Sequence, residues 1–283
     1  MDRTTLLGLL LGGLSLIGGH YLEGGSAGMI LQATAFVIVL GGTAGAVCLS
    51  FTGPQLRQSW QSLPYIFRKP HDETPHQVVR LVELAYRVRR QGLLSVEGEV
   101  AKLPNPFMRR SLQLVIDGFP PQQVREIMEM ELTQQEESGQ MPARVFEAAG
   151  GYAPTIGILG AVLGLIQVMQ HLTEPTRLGT GVAVAFVATV YGVASANLLF
   201  LPIAHKLKLQ HEHEMLRQEM ILEGVLALAQ GDHPRLIAER LNGMLSQGSA
   251  ADLKPPAAPG MRQLPVRPRP RIKSHATPSI RSH

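Results

Sequence analysis

Two apolar stretches decide the fold of this chain: GGYAPTIGILGAVLGLIQVM at residues 150–169 and GVAVAFVATVYGVASANLLFLPIAHKLK at residues 181–208. Asp, Glu, Lys and Arg are missing from both until the two lysines that end the second stretch. Uncharged apolar runs of about 18 residues or more are typical of transmembrane helices, because about 20 residues cross a hydrocarbon core about 30 Å thick. The sequence therefore predicts a membrane hairpin with spans at 150–172 and 179–204.

Two further apolar runs precede the hairpin, at residues 4–21 and 29–51, and they contain no Asp, Glu, Lys or Arg and one histidine, His20. The composition agrees with a membrane protein, since 45% of the residues are hydrophobic and 17% are charged, against about a quarter charged in soluble domains. The leucine-rich first run also resembles a signal peptide. Because no good small-x-small cleavage motif follows Ile17, we interpret it as a span.

The basic residues beside the spans predict the orientation, because short positively charged flanks stay in the cytoplasm. The opposite side has only Glu23 in one connection and Glu174 with Arg177 in the other. We therefore expect a multi-pass protein of the bacterial inner membrane with both termini in the cytoplasm. The basic flanks are Arg57, Arg68, Lys69, Arg144, Lys206 and Lys208.

The segments outside the spans show helical periodicity. VVRLVELAYRVRRQGLLSVEGEV from Val78 and PQQVREIMEMELTQQEES from Pro121 have apolar residues three to four positions apart, which is typical of amphipathic helices. The predicted fold is an all-α membrane protein with four transmembrane helices and a helical cytoplasmic domain inserted between the second and third. Its parts are a first transmembrane pair (1–51), the cytoplasmic domain (52–149), the hairpin (150–204), cytoplasmic helices (205–247) and a disordered, basic, Pro-rich tail (248–283).

Enzyme chemistry is not indicated. No Gly-rich phosphate loop, paired catalytic carboxylates or nucleophile motif occurs in a suitable context. The spacing of His205, His211 and His213 does not place all three on one helical face, so we expect no metal site and no cofactor. The net charge of +4 comes largely from the tail and does not indicate nucleic-acid binding.

The four spans contain no Asp, Glu, Lys or Arg, so any ion-carrying group must come from another chain. Small residues recur at helical spacing in the hairpin and allow close helix packing. We expect a partner helix to pack against these faces; packing between the two spans themselves is the alternative. The small faces comprise Gly157, Gly160, Ala161 and Gly164 in one span and Ala185, Ala188, Thr189, Gly192 and Ala196 in the other.

Two prolines lie close to the cytoplasmic ends of the hairpin spans. Pro154 is one turn into the third span, and Pro202 is near the end of the fourth. Each removes a backbone donor and weakens the preceding turn, which leaves a potential hinge. Their position fits hinges and simple helix boundaries equally well.

The hairpin sequences resemble the paired third and fourth spans of flagellar motor stator A subunits, the MotA/PomA family within the MotA/TolQ/ExbB superfamily. GGHYLEGG at residues 18–25 is most similar to the MotC branch of that family. The resemblance covers about residues 6–245. The related ExbB and TolQ subunits generally have three spans, so the four-span arrangement favours the flagellar branch; an ExbB/TolQ-like energiser of outer-membrane transport is the alternative.

The resemblance assigns roles to six residues. RRQGLLSVE at residues 89–97 is similar to the family segment that faces the rotor switch protein, which implies Arg89 and Glu97 as rotor contacts; a one-residue shift would replace Arg89 with Arg90. Pro154 and Pro202 match the family prolines that couple ion passage to shape change. Thr189, and less closely Thr155, match hydroxyls that face the ion pathway.

The resemblance also implies the partners. Family members assemble as five A subunits around two B subunits, and each B subunit has one membrane helix with an essential Asp and a peptidoglycan-binding domain outside. Such an Asp supplies the carboxylate that this chain lacks. The resemblance favours a proton-driven type, but a hydroxyl such as Thr189 suits sodium as well, and the sequence leaves open whether a second stator set coexists.

Overall fold

The computed structural model describes residues 3–67, 74–170 and 175–244, and the predicted tail at 248–283 lies outside them. Within these ranges the chain forms helices and no β-strand. The α-helices are α1 (Arg3–Leu22), α2 (Ala27–Ile30), α3 (Ala33–Phe36), α4 (Gly42–Ser50), α5 (Gly53–Ile66), α6 (Thr74–Gln91), α7 (Glu97–Val100), α8 (Pro106–Ile116), α9 (Pro121–Gln170), α10 (Pro175–Ser195), α11 (Leu201–Ala229) and α12 (Pro234–Met244).

Four helical stretches are long and apolar enough to cross a membrane, as the sequence predicts. They are Thr4–Leu22, Ala33–Ser50, Pro121–Gln170 and Gly181–Ala229. Five-residue π-helical turns connect α3 to α4 (Val37–Gly41) and α10 to α11 (Ala196–Phe200) without ending the helix. The all-α class and the four spans are therefore confirmed.

The second span begins later than predicted. Hydropathy placed its outer end at residue 29, but α2 ends at Ile30 and the span begins at Ala33. Gln32 between them is extended, with φ −120° and ψ 112°. The prediction was wrong here because hydropathy counts apolar residues and does not register a break in the backbone.

The hairpin helices continue well beyond their apolar segments. α9 is 50 residues long and passes residue 150, where the third span was predicted to begin. The fourth span likewise continues through the π turn into the 29 residues of α11. The sequence changes from apolar to polar along both helices while the hydrogen-bonded backbone continues, so the change in composition does not mark a helix end.

Outside the spans, one apolar core joins segments that lie far apart in the sequence. Residues of α6, α8 and the start of α9 pack with the end of α11 and with α12. Arg125 of α9 adds an ion pair with Glu223 of α11 at 2.8 Å. The largest side chains of this core are Phe107, Leu81, Leu84, Met108, Leu112, Met128, Ile221, Leu226, Ile237 and Leu241.

Two helices of this region were not predicted. α8 is capped by Asn105, whose side chain accepts a hydrogen bond from the Met108 amide at 3.0 Å, and begins with Pro106. α5 follows the second span directly, and the Gln55 side chain accepts a hydrogen bond from the Thr52 amide at 2.9 Å. Ile66 of α5 packs with Phe146 of α9 and Leu207 of α11. α5 therefore lies against both hairpin helices just beyond the second span.

Candidate functional sites in the hairpin and the extramembrane domain

The small-residue faces of the hairpin pack against each other. A Cβ built on Gly192 of α10 would lie 2.5 Å from the carbonyl oxygen of Ala153, and one on Gly157 would lie 2.9 Å from that of Ala188. Closer to the connection between α9 and α10, a Cβ on Gly164 would lie 3.0 Å from the Gly181 oxygen. The prediction that a partner helix fills these faces was wrong, because the two backbones of the hairpin already occupy them.

The surface available to a partner helix is instead the apolar face that the hairpin leaves exposed. Its side chains are 46% to 72% exposed, and no Asp, Glu, Lys or Arg lies among them. They are suited to lipid or to another membrane helix, and they provide no group that can carry a charge. These side chains are Ile158, Leu159, Val162, Leu163, Leu165, Ile166, Phe186, Val190 and Val193.

The two candidate pathway hydroxyls do not lie together. Thr189, on α10, faces one side of α9, whereas Thr155 projects from another side of α9. Thr189 is half-buried at the edge of the α9–α10 contact, where its Cα lies 3.5 Å from a Cβ built on Gly157. Thr155 is exposed, and two helical steps place it about 160° around α9 from Gly157. Both hydroxyls donate to carbonyls of their own helices, Thr189 to Ala185 at 3.3 Å and Thr155 to Tyr152 at 2.8 Å. Within one chain, the two hydroxyls do not share a surface.

The two predicted coupling prolines lie in different backbone environments. Pro154 is inside the unbroken α9, and its Cα lies 3.2 Å from a Cβ built on Gly192. Pro202 is exposed and lies in the first turn of α11, directly after the π turn. A π turn already departs from the regular hydrogen-bond ladder. An irregular backbone therefore accompanies Pro202, whereas Pro154 lies in regular helix packed against α10.

The predicted rotor contacts lie around the turn between α6 and α7. Arg89 lies in the last turn of α6 and Glu97 begins α7, and both side chains are exposed. Within the described residues neither makes a hydrogen bond or ion pair, whereas Arg90 has an interaction partner within the chain. Arg87 and Glu99 pair across the same turn. Since Arg89 and Glu97 are each two helical positions from that pair, they point about 160° away from it.

A polar junction that the sequence did not predict lies at the N-terminal end of the second span. The Tyr191 hydroxyl of α10 donates to the Ile30 carbonyl at 2.7 Å and accepts from the Gln32 amide at 3.4 Å. Phe36 packs edge-on against the Tyr191 ring, with centroids 6.5 Å apart. The Gln32 side-chain oxygen is buried and has no hydrogen-bond partner in the described chain. Tyr191, two residues from Thr189, therefore forms hydrogen bonds with the backbone groups at the break that precedes the second span.

Replacing Tyr191 with Phe is expected to loosen this junction. The change removes the hydroxyl from two part-buried backbone groups beside the break at Gln32, and a buried group left unpaired costs about 1–3 kcal/mol. Hydrogen–deuterium exchange of the peptide covering residues 27–36 should become faster. Tyr152→Phe is the matched control, because the Tyr152 hydroxyl shares a hydrogen bond with Ser50 at the other end of the span, 2.9 Å away. Equal exchange in the two variants would contradict the assignment.

Comparison with known proteins gives the family. The pattern of the MotA/TolQ/ExbB proton channel family matches residues 99–220, and that of the motility protein A N-terminal region matches residues 6–92. The chain is 33% identical to motility protein A of Bacillus subtilis, covering 85% of this chain and 90% of that protein. It is also 33% identical to chemotaxis protein PomA of Vibrio alginolyticus, covering 89% and 98%.

A solved structure agrees with the sequence comparison. The flagellar MotAB stator complex from Bacillus subtilis includes a chain of the same fold, with a TM-score of 0.78 and 32% identity over 85% of this chain and 94% of that one. Four spans, of which the close-packed hairpin pair contains no Asp, Glu, Lys or Arg, define an inner-membrane, multi-pass subunit of an ion-channel family. Within that class, the chain belongs to the MotA/PomA family of flagellar stator A subunits.

Proposed function

We propose that this chain is the A-type subunit of a flagellar motor stator that joins a B subunit and converts proton flow into torque on the rotor. The observation that carries the proposal is the hairpin, whose two spans pack tightly and contain no Asp, Glu, Lys or Arg. A proton pathway built on it requires a carboxylate from another chain. The family pattern describes a proton channel, and the solved relative is a complex with a second subunit.

The partner is a B subunit with one membrane helix that carries an Asp and with a peptidoglycan-binding domain outside. Five copies of this chain surround two such helices, and the exposed apolar face of the hairpin provides the contact surface. Protonation from the outer side neutralises the partner Asp and changes its hydration and its contacts with the pathway hydroxyls. Release of the proton toward the cytoplasm resets the Asp.

Thr189 is the proposed pathway hydroxyl within the chain, since it lies at the edge of the hairpin contact. Thr155 lies on another side of α9. It can therefore line the same pathway as Thr189 only where two A subunits meet. Pro202, beside an irregular turn, and Pro154, at the hairpin contact, are the proposed joints that couple proton passage to a shape change. The ring of A subunits turns around the anchored B helices as these steps repeat.

The basic residues beside the spans support a cytoplasmic position for the extramembrane domain and for both termini. Arg89 and Glu97 then face the rotor switch protein. The charges of Arg89 and Glu97 support this assignment, because both side chains are exposed and unpaired within the described chain and they flank one turn. Unpaired opposite charges at a contact give specificity and orientation to an encounter.

Affinity purification of the full-length chain from its native membrane tests the proposal. The expected result is co-purification of a single-span protein with a membrane Asp and a peptidoglycan-binding domain. Strains that lack this chain should lose motor torque while outer-membrane transport remains normal. Co-purification of an ExbD- or TolR-like partner instead would assign the chain to outer-membrane energisation and remove the roles given to Arg89 and Glu97.

A further inference from the structure

We infer that Leu94 is the apolar centre of the rotor contact and inserts into an apolar hollow on a rotor helix, between groups that pair with Arg89 and Glu97. The inference rests on the proposed function. It assigns a role to a residue of the 89–97 segment for which neither the charge pattern nor the family resemblance gives one.

Leu94 is unusual for its exposure. Its side chain is 74% exposed, compared with 52% for Leu236 on α12 and 63% for Leu216 on α11. Its neighbours behave differently, since Leu93 packs against the core and Val96 is 1% exposed. The 3₁₀ turn Leu93–Val96 therefore buries two apolar side chains and turns the third toward solvent.

The turn holds Leu94 in this position. Gly92 has φ +84°, a conformation that favours glycine, and its amide donates to the Val88 carbonyl at 2.8 Å. The Ser95 hydroxyl donates to the Gly92 carbonyl at 2.6 Å. Because the backbone on both sides of Leu94 is fixed, little conformational freedom is lost when a partner covers this side chain.

The charges around Leu94 define the groups that a contacting rotor surface must present. Arg87 and Glu99 neutralise each other, so the charges left for a partner are Arg89, five residues before Leu94, and Glu97, three residues after it. A complementary surface has a carboxylate for Arg89, a basic group for Glu97 and an apolar hollow between them. An apolar anchor surrounded by charged groups that exclude water is the usual arrangement of a protein-contact hot spot.

The apolar and charged parts of the contact differ in their salt dependence. Screening weakens exposed charge pairs, whereas burial of a leucine side chain is largely independent of ionic strength. We expect Leu94→Ala to weaken binding by about tenfold at both low and high salt. Arg89→Glu should weaken binding more at low salt than at high salt.

The test measures binding of the purified rotor switch protein of the same organism to the full-length stator complex, at low and at high salt. Leu94→Ala is compared with Leu236→Ala, an exposed leucine on another helix, and with Leu94→Met, which retains an apolar side chain. The expected result is about tenfold weaker binding for Leu94→Ala alone, with unchanged thermal unfolding. The inference is overturned if Leu94→Ala binds like Leu236→Ala while Arg89→Glu still weakens binding. If Arg89→Glu has no effect either, the rotor contact of the proposed function fails as well.

Discussion

Cells in which Arg89→Glu replaces the wild-type chain are expected not to swim, although the stator complex still assembles in the membrane. The Arg89 side chain is exposed and makes no ion pair within the described chain, so its loss leaves no buried group unpaired. A carboxylate in its place repels the acidic rotor group that it is proposed to face, and like charges in a contact cost several kcal/mol. Bead assays of motor torque and immunoblots of membrane fractions measure the two parts of this prediction.

Two other arginines serve as controls for this variant. Arg235→Glu changes an exposed arginine on α12, outside the proposed contact, and should leave swimming normal. Arg90→Glu tests the alternative alignment, in which Arg90 replaces Arg89 as the rotor contact. Because Arg90 already has a partner within the chain, its reversal should impair swimming less than Arg89→Glu. A charge reversal on the rotor should restore swimming to Arg89→Glu. Normal swimming after reversal at both Arg89 and Glu97 would refute the contact.

Gly192→Ala should strongly destabilise the membrane hairpin. The added Cβ would lie 2.5 Å from the Ala153 carbonyl oxygen and 3.1 Å from the Gly157 Cα, and both are backbone atoms that cannot rotate away. The two helices must separate, and overpacking of this kind costs about 1–3 kcal/mol. We expect a lower thermal unfolding midpoint of the purified complex and less protein in the membrane.

Gly151→Ala is the matched control, since a Cβ on Gly151 of α9 meets nothing within 4 Å. Alanine favours helix over glycine by about 1 kcal/mol, so this change should leave the unfolding midpoint equal or slightly higher. Equal midpoints for Gly192→Ala and Gly151→Ala would show that the close approach of the helices does not limit stability.

Hydropathy predicted the spans because length and lack of charge are properties of single segments. It did not predict α5 and α8, whose stability depends on contacts such as Ile66 with Phe146 that join distant segments. It also could not show that α9 continues past residue 150, because helix continuity depends on backbone hydrogen bonds and the change at that position is one of polarity.

The site was predictable in part. Glycine and alanine spacing identified the faces that pack closely, but spacing does not reveal which helix is the neighbour, and α10 proved to be the neighbour of α9. Tyr191 gave no signal because a single tyrosine in an apolar run has no periodicity, and its hydrogen bonds reach residues about 160 positions away. The sequence did not indicate Leu94 either, because two adjacent leucines, Leu93 and Leu94, do not show which one is buried.

The unbroken α9 gives the chain a mechanical property. Its 50 residues form a rod about 75 Å long, of which about 44 Å lies between Gly150 and Pro121. Because α9 packs lengthwise against α11, the rod is braced against bending. If it pivots near Gly150, a tilt that moves the middle of the membrane section, about 15 Å away, moves the Pro121 end about three times as far. A helix that tilts as one piece in this way is a lever, and its mechanical advantage trades force in the membrane for stroke at the far end.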